Sequence, residues 1–158
     1  FSVHALSGKP EHTDLLRRLG AIEFLPRDAA LSSKPMDSTR FGGALDTIGG
    51  HALAGLLAQT SAYGNVASCG LAGSAELPTT VMPFIIRGVS LLGIASAGTE
   101  RPIRERVWAL LAGHFTSTEL AALPVNQISL SGLPAVFDRM LSGRSFGRAV
   151  VKIHANAC

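Results

Sequence analysis

Cysteine is nearly absent from this chain. Its two cysteines, Cys69 and Cys158, are too few for a disulfide framework or a thiolate zinc site in 158 residues. A reducing compartment, most simply the cytoplasm, fits that usage. Cys69 sits in an apolar run and reads as a small buried hydrophobe whose surroundings hold its thiol inert, while Cys158 ends the chain. Aromatic residues make up only 6% of the chain, and the cations Arg17, Arg18, Arg101, Arg104, Arg106, Arg144 and Arg148 are scattered. With neither stacking platforms nor a dense basic patch, no nucleic-acid partner is expected. No apolar run reaches the roughly 18 residues of a membrane span. The longest candidate, residues 81–94, is broken by Pro83, Arg87 and Gly88, so no membrane partner is expected either. The first residues lack a basic stretch and a small-residue cleavage site, which reads as no signal peptide. His4, His12, His51, His114 and His154 are dispersed, without ligand spacing or a neighbouring carboxylate motif. They read as surface or cap histidines, with no metal site and no resident catalytic acid or base.

What is present is a core. The chain is 47% hydrophobic and 16% charged, with a formal net charge of +3, a composition that suits a globular domain and anionic ligands. Strand-like and helix-like stretches alternate, which predicts a parallel sheet covered by helices. Residues 1–6, 22–25, 43–46, 65–69 and 89–94 read as strands, the last continuous and buried. Helices are predicted from Pro10 to Gly20, over 52–60, for one or two turns within 81–87, and along the stripe Ile103, Val107, Leu110, Leu111. Residues 29–40 read as loop or ill-defined helix. Past Pro124 the texture changes to a strand over 125–130, a helix over 133–141 and a last strand over 149–153, so the one candidate domain boundary lies at Leu123-Pro124.

In an open parallel sheet the ends of the strands line the ligand crevice. Four such ends are visible: Ser7-Gly8-Lys9, Asp46-Thr47-Ile48-Gly49-Gly50, Cys69-Gly70-Leu71-Ala72-Gly73 and Gly93-Ile94-Ala95-Ser96. Glycine at these points lets a ligand approach the main chain. The first turn carries a hydroxyl, a bare backbone and a cation but no acid, and Arg27 follows the next strand. An acid there would bond the 2′-hydroxyl of an adenosine ribose and repel a 2′-phosphate. Ser7, Lys9 and Arg27 instead favour the phosphate, hence NADPH over NADH.

The ordered motifs Ser7-Gly8-Lys9-Pro10-Glu11, Leu19-Gly20-Ala21, Leu45-Asp46-Thr47-Ile48-Gly49-Gly50, Ala67-Ser68-Cys69-Gly70-Leu71-Ala72-Gly73, Leu77 to Arg87 and Gly147-Arg148-Ala149-Val150-Val151-Lys152-Ile153 resemble the zinc-independent medium-chain reductases. Among these, the pattern is most similar to the YhdH/YhfP-type quinone oxidoreductase and acrylyl-CoA reductase group. The resemblance implies an α/β chain with a Rossmann-like, doubly wound parallel sheet that lacks its first βα unit. It implies a partial NADP-binding domain over residues 1–123. Residues 124–158 would be a strand-helix-strand segment belonging to an absent GroES-like domain. By the same resemblance Ser7, Lys9 and Arg27 match the 2′-phosphate site, and Thr47 and Ile48 border the middle of the cofactor. Cys69, Gly70, Leu71 and Ala72 pass beside the nicotinamide, Gly93 to Ser96 continue that wall, and Arg148 faces the cofactor. The strand over 89–94 would pair two subunits into a homodimer.

The implied activity is NADPH-dependent hydride transfer to an activated carbon–carbon double bond of an acrylyl-CoA, enone or quinone-like substrate. The alternative is a non-catalytic module that dimerises through its edge strand. With the first strand and its glycine-rich loop absent, the sheet is expected to split and expose two edges, filled by a rearranged pairing or by another chain. Weak or no NADPH binding by residues 1–158 alone is expected for the same reason.

Overall fold

The computed structural model describes residues 1–153; His154 and Cys158 lie outside them. The chain divides into two compact units, Phe1–Ile103 and a second beginning at Arg104. The texture change at Leu123-Pro124 is therefore internal to the second unit, since the division falls early in one amphipathic helix where composition does not alter.

The first unit runs β1 (Val3–Leu6), α1 (Thr13–Arg18), β2 (Ala21–Leu25), β3 (Phe41–Asp46), α2 (Gly50–Gln59), β4 (Thr60–Ser68), α3 (Met82–Arg87) and β5 (Ser90–Gly93). Single 3-10 turns at Pro10–His12 and Arg27–Ala30 fill two of the connections. Strands β1 and β2 pair in parallel, and β3, β4 and β5 form a second parallel sheet in that order. The α/β class and parallel pairing expected from the alternation are present. Residues 31–40 are irregular, as expected.

The sheet is split between β1 and β3, and among the described residues no rearranged pairing fills the gap. A shared core joins the two halves instead. Leu25, Ala30, Phe41 and Leu56 are buried together, with Leu6, Ala29, Ala44 and Ala52 packed against them. The His4 and Phe41 rings meet edge to face at 6.3 Å. A second cluster, Leu53, Leu57, Val66 and Val89, pins α2 onto β4. Leu57 and Val66 are wholly excluded from solvent, which explains why α2 carries small and aliphatic residues almost throughout.

Helix α2 ends with its carbonyls satisfied by distant groups, as a buried helix terminus requires. The Arg87 guanidinium donates to the Ala58, Thr60 and Asp37 carbonyls, at 2.8, 3.3 and 2.5 Å. Buried Gln59 donates to the Ala29 and Ala30 carbonyls. Strand β4 bulges: Phe41 pairs with Thr60 while Gly43 pairs with Asn65. The extra residues leave Tyr63 exposed at φ 61°, an uncommon conformation for a bulky side chain.

Strand β5 corrects one expectation. It lies at the edge of its sheet with only partial cover, and Leu92 and Ile94 are exposed rather than buried.

Helix α4 (Arg101–His114) leads into the second unit, which holds α5 (Ser117–Ala121), β6 (Val125–Ser129), α6 (Leu133–Leu141) and β7 (Arg148–Lys152). Strands β6 and β7 pair in parallel around α6. Helix α5 has no counterpart among the expected elements. A capping box of Thr116 and Glu119 starts it.

Candidate functional site

Strand register aligns three of the four predicted strand ends. Asp46, Ser68 and Gly93 stand as consecutive partners in one row across β3, β4 and β5. The chain leaves the sheet there in step: Cys69 N–H donates to the Asp46 carbonyl and Ile94 N–H to that of Ser68, both at 2.9 Å. Thr47, Ile48, Cys69, Gly70, Leu71, Ala72 and Gly93 are thereby brought to one edge. Ser96 follows in the loop after β5, which is closed by Thr99 Oγ1 donating to the Ala95 carbonyl. Thr47, Cys69, Leu71, Ala72, Gly93 and Ser96 are exposed.

The organiser of this edge is Asp46. Its carboxylate is buried and accepts the N–H groups of Ile48 (3.2 Å) and Gly49 (3.0 Å) and the Ser68 hydroxyl (3.4 Å). An aspartate at a strand end followed by a two-residue step to glycine is the signal of such a side-chain-to-backbone turn. Asp46 is not among the residues expected to touch the cofactor, although it fixes the turn that carries Thr47 and Ile48.

The middle glycines serve the loops themselves. Gly73 N–H donates to the Ile48 carbonyl at 2.8 Å, Ala72 N–H to that of Thr47, and Gly50 N–H to that of Glu76. Gly49, at φ 72°, forms a bridge with Ser74, and a Cβ on it would collide with the Ser74 carbonyl oxygen. A Cβ on Gly70 would lie 2.5 Å from the Thr47 carbonyl oxygen. Close approach of one loop to the next therefore accounts for these glycines. Among the glycines of these strand ends, Gly93 alone has its missing Cβ position in open space.

Cys69 also corrects an expectation. It lies just beyond the end of β4 and is exposed, its Sγ 3.5 Å from the Asp46 carbonyl oxygen.

The first predicted strand end assembles as a second feature of the same unit. Ser7 N–H donates to the Leu25 carbonyl at 3.1 Å, clamping the ends of β1 and β2 together. Lys9 N–H donates to Ser7 Oγ at 3.2 Å. The Arg27 side chain lies across Gly8, its Nε 2.8 Å from where a Cβ on Gly8 would stand. Ser7, the Lys9 main chain and the Arg27 side chain thus meet at Gly8. Among the described residues the Arg27 guanidinium makes no ion pair, with neighbouring Asp28 or any other acid. The Ser7 hydroxyl and the Arg27 guanidinium beside this turn are donors suited to a phosphoryl group.

Arg148 opens β7 in the second unit, exposed. His4 differs from expectation: strand register sets it opposite Glu23, with Nδ1 2.7 Å from the carboxylate. Among the described residues no cluster of His, Cys, Asp and Glu could hold a metal ion, and no helix is long and apolar enough to cross a membrane.

No family model matches the chain. Over 157 residues it is 38% identical to acrylyl-CoA reductase AcuI of Ruegeria pomeroyi, a match that covers 98% of this chain and 47% of that protein. The crystal structure of the yhdH oxidoreductase of Salmonella enterica in complex with NADP superposes with a TM-score of 0.91 at 39% identity, covering 98% of this chain and 47% of that one. Bacillus subtilis yhfP, solved with NAD bound, gives 0.88 at 36% identity, over 97% and 47%. The chain spans about half the length of the relatives it matches.

Proposed function

We propose, for a chain akin over about half their length to the YhdH/YhfP-type quinone oxidoreductases and acrylyl-CoA reductases, that its protein is an NADPH-dependent reductase of activated carbon–carbon double bonds. The observation that carries this reading is the seat of the Arg27 side chain across bare Gly8, beside the Ser7 hydroxyl and the Lys9 turn. Ser7, Lys9 and Arg27 hold the 2′-phosphate of the cofactor. The turn fixed by Asp46 presents Thr47 and Ile48 to its middle. Cys69 to Ala72 flank the nicotinamide, and Gly93 and Ser96 extend the same wall. When bound, NADPH supplies the hydride; these residues bind and orient, and none of them moves a proton. Arg148 contacts the cofactor, and the protein works in the cytoplasm.

The substrate is an acrylyl-CoA, enone or quinone-like acceptor; the names of relatives support the acrylyl-CoA and quinone members of that class. Residues 1–123 act as the greater part of the cofactor domain, and residues 124–158 pack against a barrel-like domain. Two subunits join through the free edge of β5, where Leu92 and Ile94 are exposed. That edge also favours a second reading, a non-catalytic module that dimerises without binding nucleotide.

Lys9→Glu and Arg27→Gln separate the two readings. In the protein carrying this stretch, each should lower the NADPH-to-NADH ratio of kcat/KM about tenfold or more, the scale of one lost charge-assisted hydrogen bond. An unchanged ratio in both would remove the phosphate cradle, whereas a wild type without any NADPH-dependent turnover would leave the interaction module. Residues 1–158 alone should bind NADPH weakly in a fluorescence titration, because among them no glycine-rich loop supplies amides for the pyrophosphate.

A further inference from the structure

We infer that Gly8 is a specificity-determining position: its missing side chain seats the Arg27 guanidinium over the Ser7–Lys9 turn and so sets the preference for 2′-phosphorylated adenosine ligands. The inference rests on the phosphate-cradle reading and adds a residue that supplies no donor of its own. A Cβ on Gly8 would stand 2.8 Å from Arg27 Nε, 3.1 Å from Cζ and 3.2 Å from Cδ. Three consecutive atoms at nearly equal reach mean that the side chain lies flat across the glycine rather than pointing at it. Backbone conformation does not call for glycine here, because Gly8 is not among the residues with positive φ. The space taken by Arg27 does.

The surroundings are fixed on both sides of the contact. Ser7 N–H on the Leu25 carbonyl and Lys9 N–H on Ser7 Oγ hold the turn. Pro26, at φ −66°, and the Ala29 N–H on its carbonyl hold the start of the 3-10 turn from which Arg27 projects. What remains loose is the arginine itself, and the flat seat on Gly8 confines it before a ligand arrives. Preorganised cations bind more tightly because less rotamer freedom is lost on binding. A methyl at position 8 meets the flexible far end of a side chain and not backbone, so the arginine swings aside while the fold stays. Charge is then conserved but misplaced.

The test uses two probes, 2′,5′-ADP and 5′-ADP, titrated calorimetrically into the protein carrying this stretch. The wild type should prefer 2′,5′-ADP. Arg27→Gln should cut that preference about tenfold or more, and Gly8→Ala about threefold to tenfold. In the Arg27→Gln background Gly8→Ala should change it less than about twofold, since the arginine it displaces is gone. If Arg27→Gln acts and Gly8→Ala does not, or if the two effects simply add, the role of Gly8 is refuted while the cradle stands. If the wild type shows no preference, or Arg27→Gln leaves it intact, the cradle falls and the inference with it. Should Gly8→Ala alone fail to fold by circular dichroism, the doubly substituted protein decides. Folding like Arg27→Gln identifies the clash as the arginine, and failure to fold refutes the role.

Discussion

Asp46 holds the β3 turn through a carboxylate that is only 2% exposed and has main-chain N–H groups on both oxygens. Asp46→Ala would leave the Ile48 and Gly49 N–H groups without that acceptor. Its expected cost is about 2–4 kcal/mol in urea unfolding, with Asp46→Asn costing about half because one oxygen still accepts. At Gly49, where φ is 72° and the Ser74 carbonyl oxygen fills the side-chain position, Gly49→Ala should cost about 2 kcal/mol or more by the same measurement. What could be read from single residues depended on whether their neighbours were local. The turns after β1 and β2 follow consecutive, paired strands, so the meeting of Arg27 with Gly8 was legible. Cys69 was not, because its exposure depends on β4 ending one residue earlier, at Ser68. Glycines at strand ends suggest room for a ligand, yet most of these make room for a neighbouring loop, a long-range fact that no spacing encodes.

At the scale of elements, α2 and α5 lie at opposite extremes of burial. Helix α2 depends on its packed face. Leu57→Ala at a wholly buried position should cost about 3–5 kcal/mol in chemical denaturation. Helix α5 has no buried residue and depends on its start, where Glu119 accepts the Thr116 N–H at 2.7 Å and the Thr116 hydroxyl at 2.8 Å. Those bonds favour the ionised form and hold the Glu119 carboxyl below its ordinary value of 4.5. The sign follows from that depression. The cap contributes its full stability above pH 4.5 and loses it as the pH falls through the lower folded value. Thermal unfolding followed against pH should therefore show wild type above Glu119→Gln near neutrality, with the gap closing in acid. Asp37, held low by the Ser38 N–H and the Ser32 hydroxyl, titrates in the same region but is common to both proteins and cancels. Strands and the long helices were legible from apolar runs and from the stripe at Ile103, Val107, Leu110 and Leu111. Helix α5 was not, because it carries no apolar stripe and its only signal is Thr116 three residues before Glu119.

The described residues form two parallel sheets held by one core in the first unit, with a third sheet in the second. The split between β1 and β3 was legible from the strand order, since a sheet missing its middle strand divides there. That the halves stay put was not legible, because Phe41, Leu25, Ala30 and Leu56 meet only in three dimensions. The division at Ile103 was hidden for a related reason: it interrupts contacts, not composition. On the proposed dimer, Leu92→Glu at the free edge of β5 should raise the dissociation constant about tenfold or more in sedimentation equilibrium, since a charge there opposes edge-to-edge pairing.

The most direct test is a nitrogen–proton correlation spectrum of the protein titrated with 2′,5′-ADP and, separately, with 5′-ADP. A cradle for the extra phosphoryl group requires large shifts at Ser7, Gly8, Lys9 and the Arg27 side-chain N–H with the first ligand, and much smaller ones with the second. Equal responses to both ligands, or shifts that leave those four residues untouched, would contradict it.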